Sequence, residues 1–263
     1  MTDANDEGLK QQVREYWNAH PCGTQFTHLE WGSKEFFTEV ERFRYGTQPF
    51  MRTLMEFDNF RDKRLLEIGC GLGTDLLQFA RGGAQVTGVD LTPASIELVK
   101  MRFALEKLPV DAQVADAERL PFADNSFDVV YSFGVLHHTP NTQKAIDEVH
   151  RVLKPGGHIV IMLYHKNSVH VYLGAALYRI SHAMKSDRSL VEDWVRIYDG
   201  DDNPLGKAYS RSELRAMFSR FTNLSFATCD PIRRKYPSAV NWINQKLLSK
   251  RWGFWIVIKG NKK

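Results

Sequence analysis

Hydrophobic positions along this chain of 263 residues follow two different periods. Short stretches centred on apolar residues fall at residues 64–67, 84–90, 111–115, 125–133, 158–163, 224–228 and 254–259. Runs of that length predict β-strands, mostly of the kind buried on both faces. Between them the period changes to that of a helix. Residues 76–81 are helix-forming, Thr92-Pro93 supplies a capping hydroxyl and a first-turn proline, and residues 142–152 place Ala145, Ile146, Val149 and Val152 on one face. Lys154-Pro-Gly-Gly157 reads as a turn. Strands alternating with helices predict an α/β fold with a doubly wound, mostly parallel sheet. In such sheets ligands bind beyond the carboxyl ends of the strands.

The joint after the first strand carries the most information. Glu67 is followed by Gly69, Gly71 and Gly73 at alternate positions, with Cys70 between the first two, and a helix begins directly afterwards. Glycines at this spacing allow a tight turn and a close approach of ligand to main chain, and the helix start offers free N–H groups. A dinucleotide fingerprint would set its third glycine three residues after the second; here the interval is two. The next strand ends at Asp90, 17 positions after Gly73. That is close to the offset of roughly 20 residues at which an acid meets ribose hydroxyls in nucleotide-binding folds. The alternative role for Asp90 is capping the helix that starts at Thr92.

The Glu67–Gly73 string resembles the first motif of class I S-adenosylmethionine-dependent methyltransferases, and residues 120–163 resemble the ubiquinone/menaquinone-type (methyltransferase domain 11-like) branch. The resemblance is dense over residues 65–163. It implies a seven-stranded sheet of order 3-2-1-4-5-7-6 with the last strand antiparallel and helices on both faces. It also implies S-adenosyl-L-methionine as cofactor and S-adenosyl-L-homocysteine as product. Glu67 and the loop Gly69, Cys70, Gly71 and Gly73 would hold its amino-acid end, Asp90 the ribose, and Asp116 and Ala117 the adenine. Leu91, Glu118 and Phe133 complete the expected cofactor set, with Leu120 and Phe122 as further candidates to border the adenine.

Three segments lie outside the minimal sheet. Residues 1–60 are dense in aromatics, include a predicted helix at 34–43, and predict an N-terminal helical lid; residues 61–263 then form the methyltransferase domain. Within it, residues 165–209 and 230–251 are expected cap insertions, serving either a substrate pocket or a homodimer interface. The first contains an amphipathic stretch, 169–184, and a polar loop, 199–206; Ser210-Arg-Ser-Glu213 beyond it has the form of a capping box. The second contains a predicted amphipathic helix, 239–250, with Val240, Ile243, Leu247 and Leu248 inward.

Methyl transfer is an in-line displacement for which positioning supplies much of the rate. A base is needed only for an acceptor that arrives protonated. His138, after strand four, and His165, after strand five, are the candidates, with His137 behind them. From the lid, Tyr45 is the third catalytic candidate, and Glu41 and Arg44 are placed to orient an acceptor. Cys22 reads as a lid thiol or as a small buried residue.

Composition bounds the partners. The net charge is +4, from 35 basic and 31 acidic residues, which does not by itself call for nucleic acid. The basic residues Arg233–Lys235 and Lys246, Lys250, Arg251, Lys259, Lys262 and Lys263 read as solvated surface. Three cysteines, Cys22, Cys70 and Cys229, contain no C-x-x-C pair, so no metal site is expected. The polar N-terminus does not resemble a signal peptide, and no apolar run is long enough to span a bilayer. The expectation is a cytoplasmic enzyme with a small-molecule acceptor at O, N, S or C, without integral membrane association or stable nucleic-acid partner. The alternatives are an RNA or a quinone/lipid methyltransferase, or a non-catalytic cofactor-binding protein.

Overall fold

The computed structural model describes residues 2–183, 185, 187–200, 202–233 and 237–263. Met184 at the end of the expected 169–184 stretch, Asp201 of the polar loop, Arg234 and Lys235 of the basic run, and Met1 lie outside the described residues. Among the described residues eight strands form one sheet: β1 (Arg64–Ile68), β2 (Gln85–Asp90), β3 (Asp111–Val114), β4 (Phe127–Phe133), β5 (Leu153–His165), β6 (Ala208–Tyr209), β7 (Phe221–Cys229) and β8 (Trp255–Lys262). Their order is β3-β2-β1-β4-β5-β8-β7, and the two-residue β6 pairs with the end of β5. The expected path is therefore present, with one extra short strand shifting the count. β8 runs antiparallel between β5 and β7, and the other pairings are parallel.

The helices are α1 (Thr2–Ala19), α2 (Lys34–Thr47), α3 (Met51–Leu54), α4 (Thr74–Arg81), α5 (Pro93–Glu106), α6 (Thr142–Val152), α7 (Ala175–Ser181), α8 (Leu190–Asp199), α9 (Arg211–Met217), α10 (Ser238–Ile243) and α11 (Ser249–Trp252). A π-helical stretch, His170–Gly174, leads into α7, and another, Asn244–Leu248, joins α10 to α11. α9 begins with the capping box expected at Ser210 and Glu213. Two local expectations change. Lys154–Gly157 runs within β5 as an irregularity, where the register moves from Phe127↔Leu153 to Val129↔His158 and Gly156 takes φ +73°. Thr92 is the N-cap of α5, but its hydroxyl donates to Asp90 (2.8 Å), accepts from the Ser95 hydroxyl (2.8 Å) and caps no backbone N–H.

Alternation along the central strands divides the core between the two sheet faces. Leu65, Val129, Tyr131, Val160, Met162 and Tyr164 pack on one side. Leu66, Ile68, Val130, Ile159, Ile161 and Leu163 pack on the other. Successive strand residues point to opposite faces, so this parity fixes which side chains reach a given site. Leu120 and Phe122 join the second of these cores, Phe122 meeting Phe127 edge to face at 5.0 Å, and neither lines the main cavity.

The helix at 238–252 overturns its expected orientation. Val240, Ile243 and Leu247 are exposed and Leu248 is half-buried, whereas Asn244 and Ser249 are buried. The cause is Asp230, fully buried beneath the helix. Its oxygens accept from Phe254 N–H (2.8 Å) and lie 3.5 Å from the Asn244 amide, and Gln245 donates to its backbone carbonyl (2.8 Å). A buried carboxylate requires polar partners, and this draws the polar face of the helix inward.

Candidate active site

A cavity of about 940 Å³ opens at the carboxyl ends of β1, β2, β4 and β5 and is bordered by α1 and the segment that follows it. Such a volume is at the upper end of small-molecule sites, roughly 300–1,000 Å³. Of the expected cofactor residues, Glu67, Gly69, Cys70, Gly71, Asp90, Leu91, Asp116, Ala117 and Phe133 line it. Gly73 and Glu118 do not.

The glycine turn is built on left-handed backbone: Gly69, Gly71 and Gly73 have φ of +74°, +50° and +68°. Gly73 caps α4, and a Cβ there would press on Val99 at 3.3 Å, so its role is in the turn and the packing beneath it. A Cβ on Gly69 would meet Val135 Cγ2 at 2.2 Å, so that glycine is required by the protein's own packing. A Cβ on Gly71 would meet nothing within 4 Å. Its free face is turned to the cavity, as a cradle for a ligand needs.

Asp90 supports this turn. Oδ2 accepts the Gly71 N–H at 3.0 Å, and Oδ1 accepts the Thr92 N–H at 3.0 Å. Burial raises its pKa, and these backbone donors oppose the shift. A carboxylate has about four acceptor sites; with the Thr92 hydroxyl also donating to Oδ1, three are taken and one is left for a ligand hydroxyl. Glu67 is 3% exposed, and its Oε2 has no hydrogen-bond partner. Burial lifts its pKa well above the ordinary carboxylate value, with the charge of Asp75 adding to the shift and Arg44 opposing it. A buried, unpartnered carboxyl oxygen beside the glycine turn suits a cationic group on the ligand.

Asp116 and Glu118 are tied to α1. Lys10 Nζ reaches Asp116 Oδ2 at 2.8 Å and Glu118 Oε2 at 2.9 Å. Glu118 also accepts from Asn141 N–H at 2.6 Å. It is buried and acts behind the cavity wall, which departs from its expected direct contact with cofactor.

The candidate catalytic residues separate. His138 lines the cavity. Its Nδ1 lies 2.5 Å from the Leu205 carbonyl, so that nitrogen carries the proton, and Nε2 stands 3.8 Å from Asp199 Oδ2. Tyr164 donates to Asp199 Oδ1 at 2.6 Å, and Tyr16 of α1 donates to the Asp199 backbone carbonyl at 2.8 Å. Trp17 meets the His138 ring edge to face at 5.5 Å. Burial raises the Asp199 pKa, opposed by His138 and the Tyr164 hydrogen bond. His137 is buried against Tyr164, with ring centroids 3.9 Å apart, and burial drives its pKa well below the usual histidine value.

His165 is not in the cavity. It is buried on the sheet face opposite Tyr164, with Nδ1 3.0 Å from the Gly253 carbonyl. Adjacent strand residues cannot share a face, so Tyr164 and His165 exclude one another from a common site. Tyr45 is also displaced. It donates to Asp75 Oδ1 at 2.8 Å in a buried cluster where Tyr131 donates to Asp75 Oδ2 at 2.7 Å and Arg44 pairs with the same carboxylate. Arg44 lines the cavity beside Phe133 (5.0 Å), whereas Glu41 turns away to Arg102 and Arg81. Cys22 borders the cavity and is exposed to it. Asp199 carried no distinctive signal in the sequence. A helix-starting acid beside the glycine loop is the one cue that Asp75 offered.

The sheet order and the glycine turn define the class I S-adenosylmethionine-dependent methyltransferase fold. Residues 66–161 match a family described as a methyltransferase domain. It is 43% identical over 172 residues to a phthiotriol/phenolphthiotriol dimycocerosates methyltransferase of Mycobacterium leprae, covering 60% of this chain and 63% of that one. It is 39% identical over 98 residues to a sterol 4-C-methyltransferase of Caenorhabditis elegans, covering 36% and 29%. Geranyl diphosphate C-methyltransferase from Streptomyces coelicolor superposes with a TM-score of 0.63 at 17% identity, over 97% of this chain and 98% of that one, a likeness of fold. The chain thus spans between about a third and just under two thirds of these curated relatives' lengths.

Proposed function

We propose that this protein transfers a methyl group from S-adenosylmethionine to a hydroxyl of a largely apolar small molecule. The observation that carries the reading is His138. With Nδ1–H held by a backbone carbonyl, Nε2 is left as acceptor at the cavity wall, and Asp199 faces it.

Bound S-adenosylmethionine supplies an electrophilic methyl on a sulfonium centre. Glu67 and the Gly69–Gly71 turn would hold its amino-acid end, Asp90 a ribose hydroxyl, and Asp116 with the Ala117 N–H its adenine. Residues 1–60 serve as a lid, and the insertion 165–209 delivers Asp199. His138 Nε2 accepts the acceptor's hydroxyl proton as the oxygen attacks. The imidazolium so formed faces Asp199, whose ionised form it favours. Tyr164 keeps the Asp199 carboxylate in register. Tyr16, Trp17, Phe26, Trp31, Tyr198 and Trp255 give the cavity an aromatic lining that excludes water from the reaction and suits an apolar acceptor. The names of the relatives agree with an apolar acceptor, a sterol in one and a phthiotriol dimycocerosate in the other, although the sterol enzyme is named for transfer to carbon.

The test is incubation with methyl-labelled S-adenosylmethionine and a panel of apolar alcohols, phenols, amines and thiols. Ether formation on a hydroxyl is expected. Label only on nitrogen or sulfur, or none on any acceptor, would overturn the assignment.

A further inference from the structure

We propose that the outward faces of residues 170–181 and 238–252 form a docking surface for an anionic lipid bilayer. The inference does not depend on the acceptor's identity. Both segments are helical and both are anchored on Asp230: His170 Nε2 lies 3.2 Å from Asp230 Oδ2, and Asn244 approaches the same oxygen. Each turns small or polar side chains and, in the first, Val171 toward the protein and a row of larger apolar ones away. In the first, Val171 and Ala175 are buried, while Leu173, Leu177 and Ile180, spaced by four and three residues, are exposed, Ile180 by 76%. In the second, Val240, Ile243 and Leu247 are spaced by three and four, and Leu247 is 63% exposed and Trp242 60%. Contiguous apolar exposure of this kind marks an interaction surface.

Charge selects the occupant. Residues 166–183 and 237–252 contain no Asp or Glu, and they carry Lys166, Arg179, Lys246, Lys250 and Arg251. Arg179 is paired with Asp193 and Lys166 with Glu213, but Lys246, Lys250 and Arg251 are exposed beside the apolar row. A second copy of the same face would bring these cations together at a cost. An anionic headgroup layer receives them, while the apolar row enters the acyl boundary and Trp242 and Trp252 occupy the interface between. Among the described residues no helix is long and apolar enough to cross a membrane, so the contact is peripheral. The surface also adjoins the cavity. Asn241 of α10 exchanges two 2.9 Å hydrogen bonds with the backbone of Arg233, whose side chain lines the cavity and lies over Trp194 and Tyr198.

The experiment is co-sedimentation of the full chain with vesicles of phosphatidylcholine alone and with about one quarter phosphatidylglycerol. Binding to the anionic vesicles, weakening with salt, is expected. The triple variant Ile180→Ser, Trp242→Ser, Leu247→Ser should bind at least roughly tenfold less. Lys246→Glu, Lys250→Glu, Arg251→Glu should abolish the preference for anionic lipid. All six positions are exposed, and thermal melts verify that both variants fold. No sedimentation with either vesicle, or sedimentation unaltered in both variants, would overturn the proposal. Concentration-dependent dimerisation lost in the apolar variant, without vesicle binding, would assign the face to a second copy and overturn it equally.

Discussion

Lys10, on the first helix, lies 2.8 Å from Asp116, the acid that follows the third strand, across 106 positions of sequence. The same ammonium is 2.9 Å from Glu118, so one cation spans two carboxylates of which the second is 2% exposed. The N-terminal segment is thereby fixed to the cavity rim by charge as well as by the packing of Val13.

Removing that cation should loosen the segment. Lys10→Ala leaves Glu118 buried without its counterion, a loss on the order of 1–3 kcal/mol. The variant should melt at a lower temperature, and protease should cut within residues 1–30 faster than in the parent protein, while Lys10→Arg restores most of the protection. Equal cleavage rates for Lys10→Ala and the parent would show that the pair does not hold the segment.

Asp199 and His138 should act together. Asp199→Asn keeps the size of the side chain but removes the charge facing the imidazolium. A lost acid–base contribution is worth roughly 10²–10⁴-fold in rate. The turnover number should fall toward that range in both His138→Ala and Asp199→Asn, and the double variant should be little worse than either single one. Cofactor affinity should hold within a few-fold. Multiplicative losses in the double variant would mean that the two residues contribute separately.

Legibility in the sequence followed the range of the interactions. The glycine turn was readable because left-handed backbone and close approach leave few alternatives to glycine, and Asp90 because it ends the neighbouring strand. The strand path followed from alternation of elements. Asp199 was not readable as a partner of His138, because 61 positions and an insertion separate them. His165 failed on parity: the sequence placed it at a strand end, and the strand's own alternation puts Tyr164, not His165, on the cavity side. The 238–252 helix was recognised as amphipathic, but periodicity defines an apolar face without saying which way it looks. That was decided by the burial of Asp230, a tertiary fact.

Glu67 should couple cofactor binding to protons. Burial holds its carboxyl protonated above the usual pH range for such a group. A cationic amino group beside it favours ionisation, so binding releases a proton in the window between the ordinary and the raised pKa. Affinity for S-adenosylhomocysteine should rise with pH through that window and level off above it. For the free protein the stability term has the opposite sense to that of an ion-paired carboxylate, and is lost as pH rises through the same window. Calorimetric titration in two buffers of different ionisation enthalpy measures the released proton. Glu67→Gln should show none; identical proton release in that variant would assign the effect to another group.

Gly69 and Gly71 separate the needs of the fold from those of the ligand. Gly69→Ala places a methyl 2.2 Å from Val135 Cγ2 in a left-handed residue, so the fold itself should suffer. Trimming the neighbour, as in Gly69→Ala with Val135→Ala, should recover part of the loss. Gly71→Ala meets no protein atom within 4 Å and carries only the left-handed backbone penalty, about 1–2 kcal/mol. Its melting temperature should therefore fall by only a few degrees. Its methyl, however, projects into the volume assigned to the cofactor, and affinity for S-adenosylhomocysteine should drop by about tenfold or more, since each 1.4 kcal/mol of lost contact is tenfold. Unchanged affinity in a folded Gly71→Ala protein would mean that the ligand does not rest on this turn.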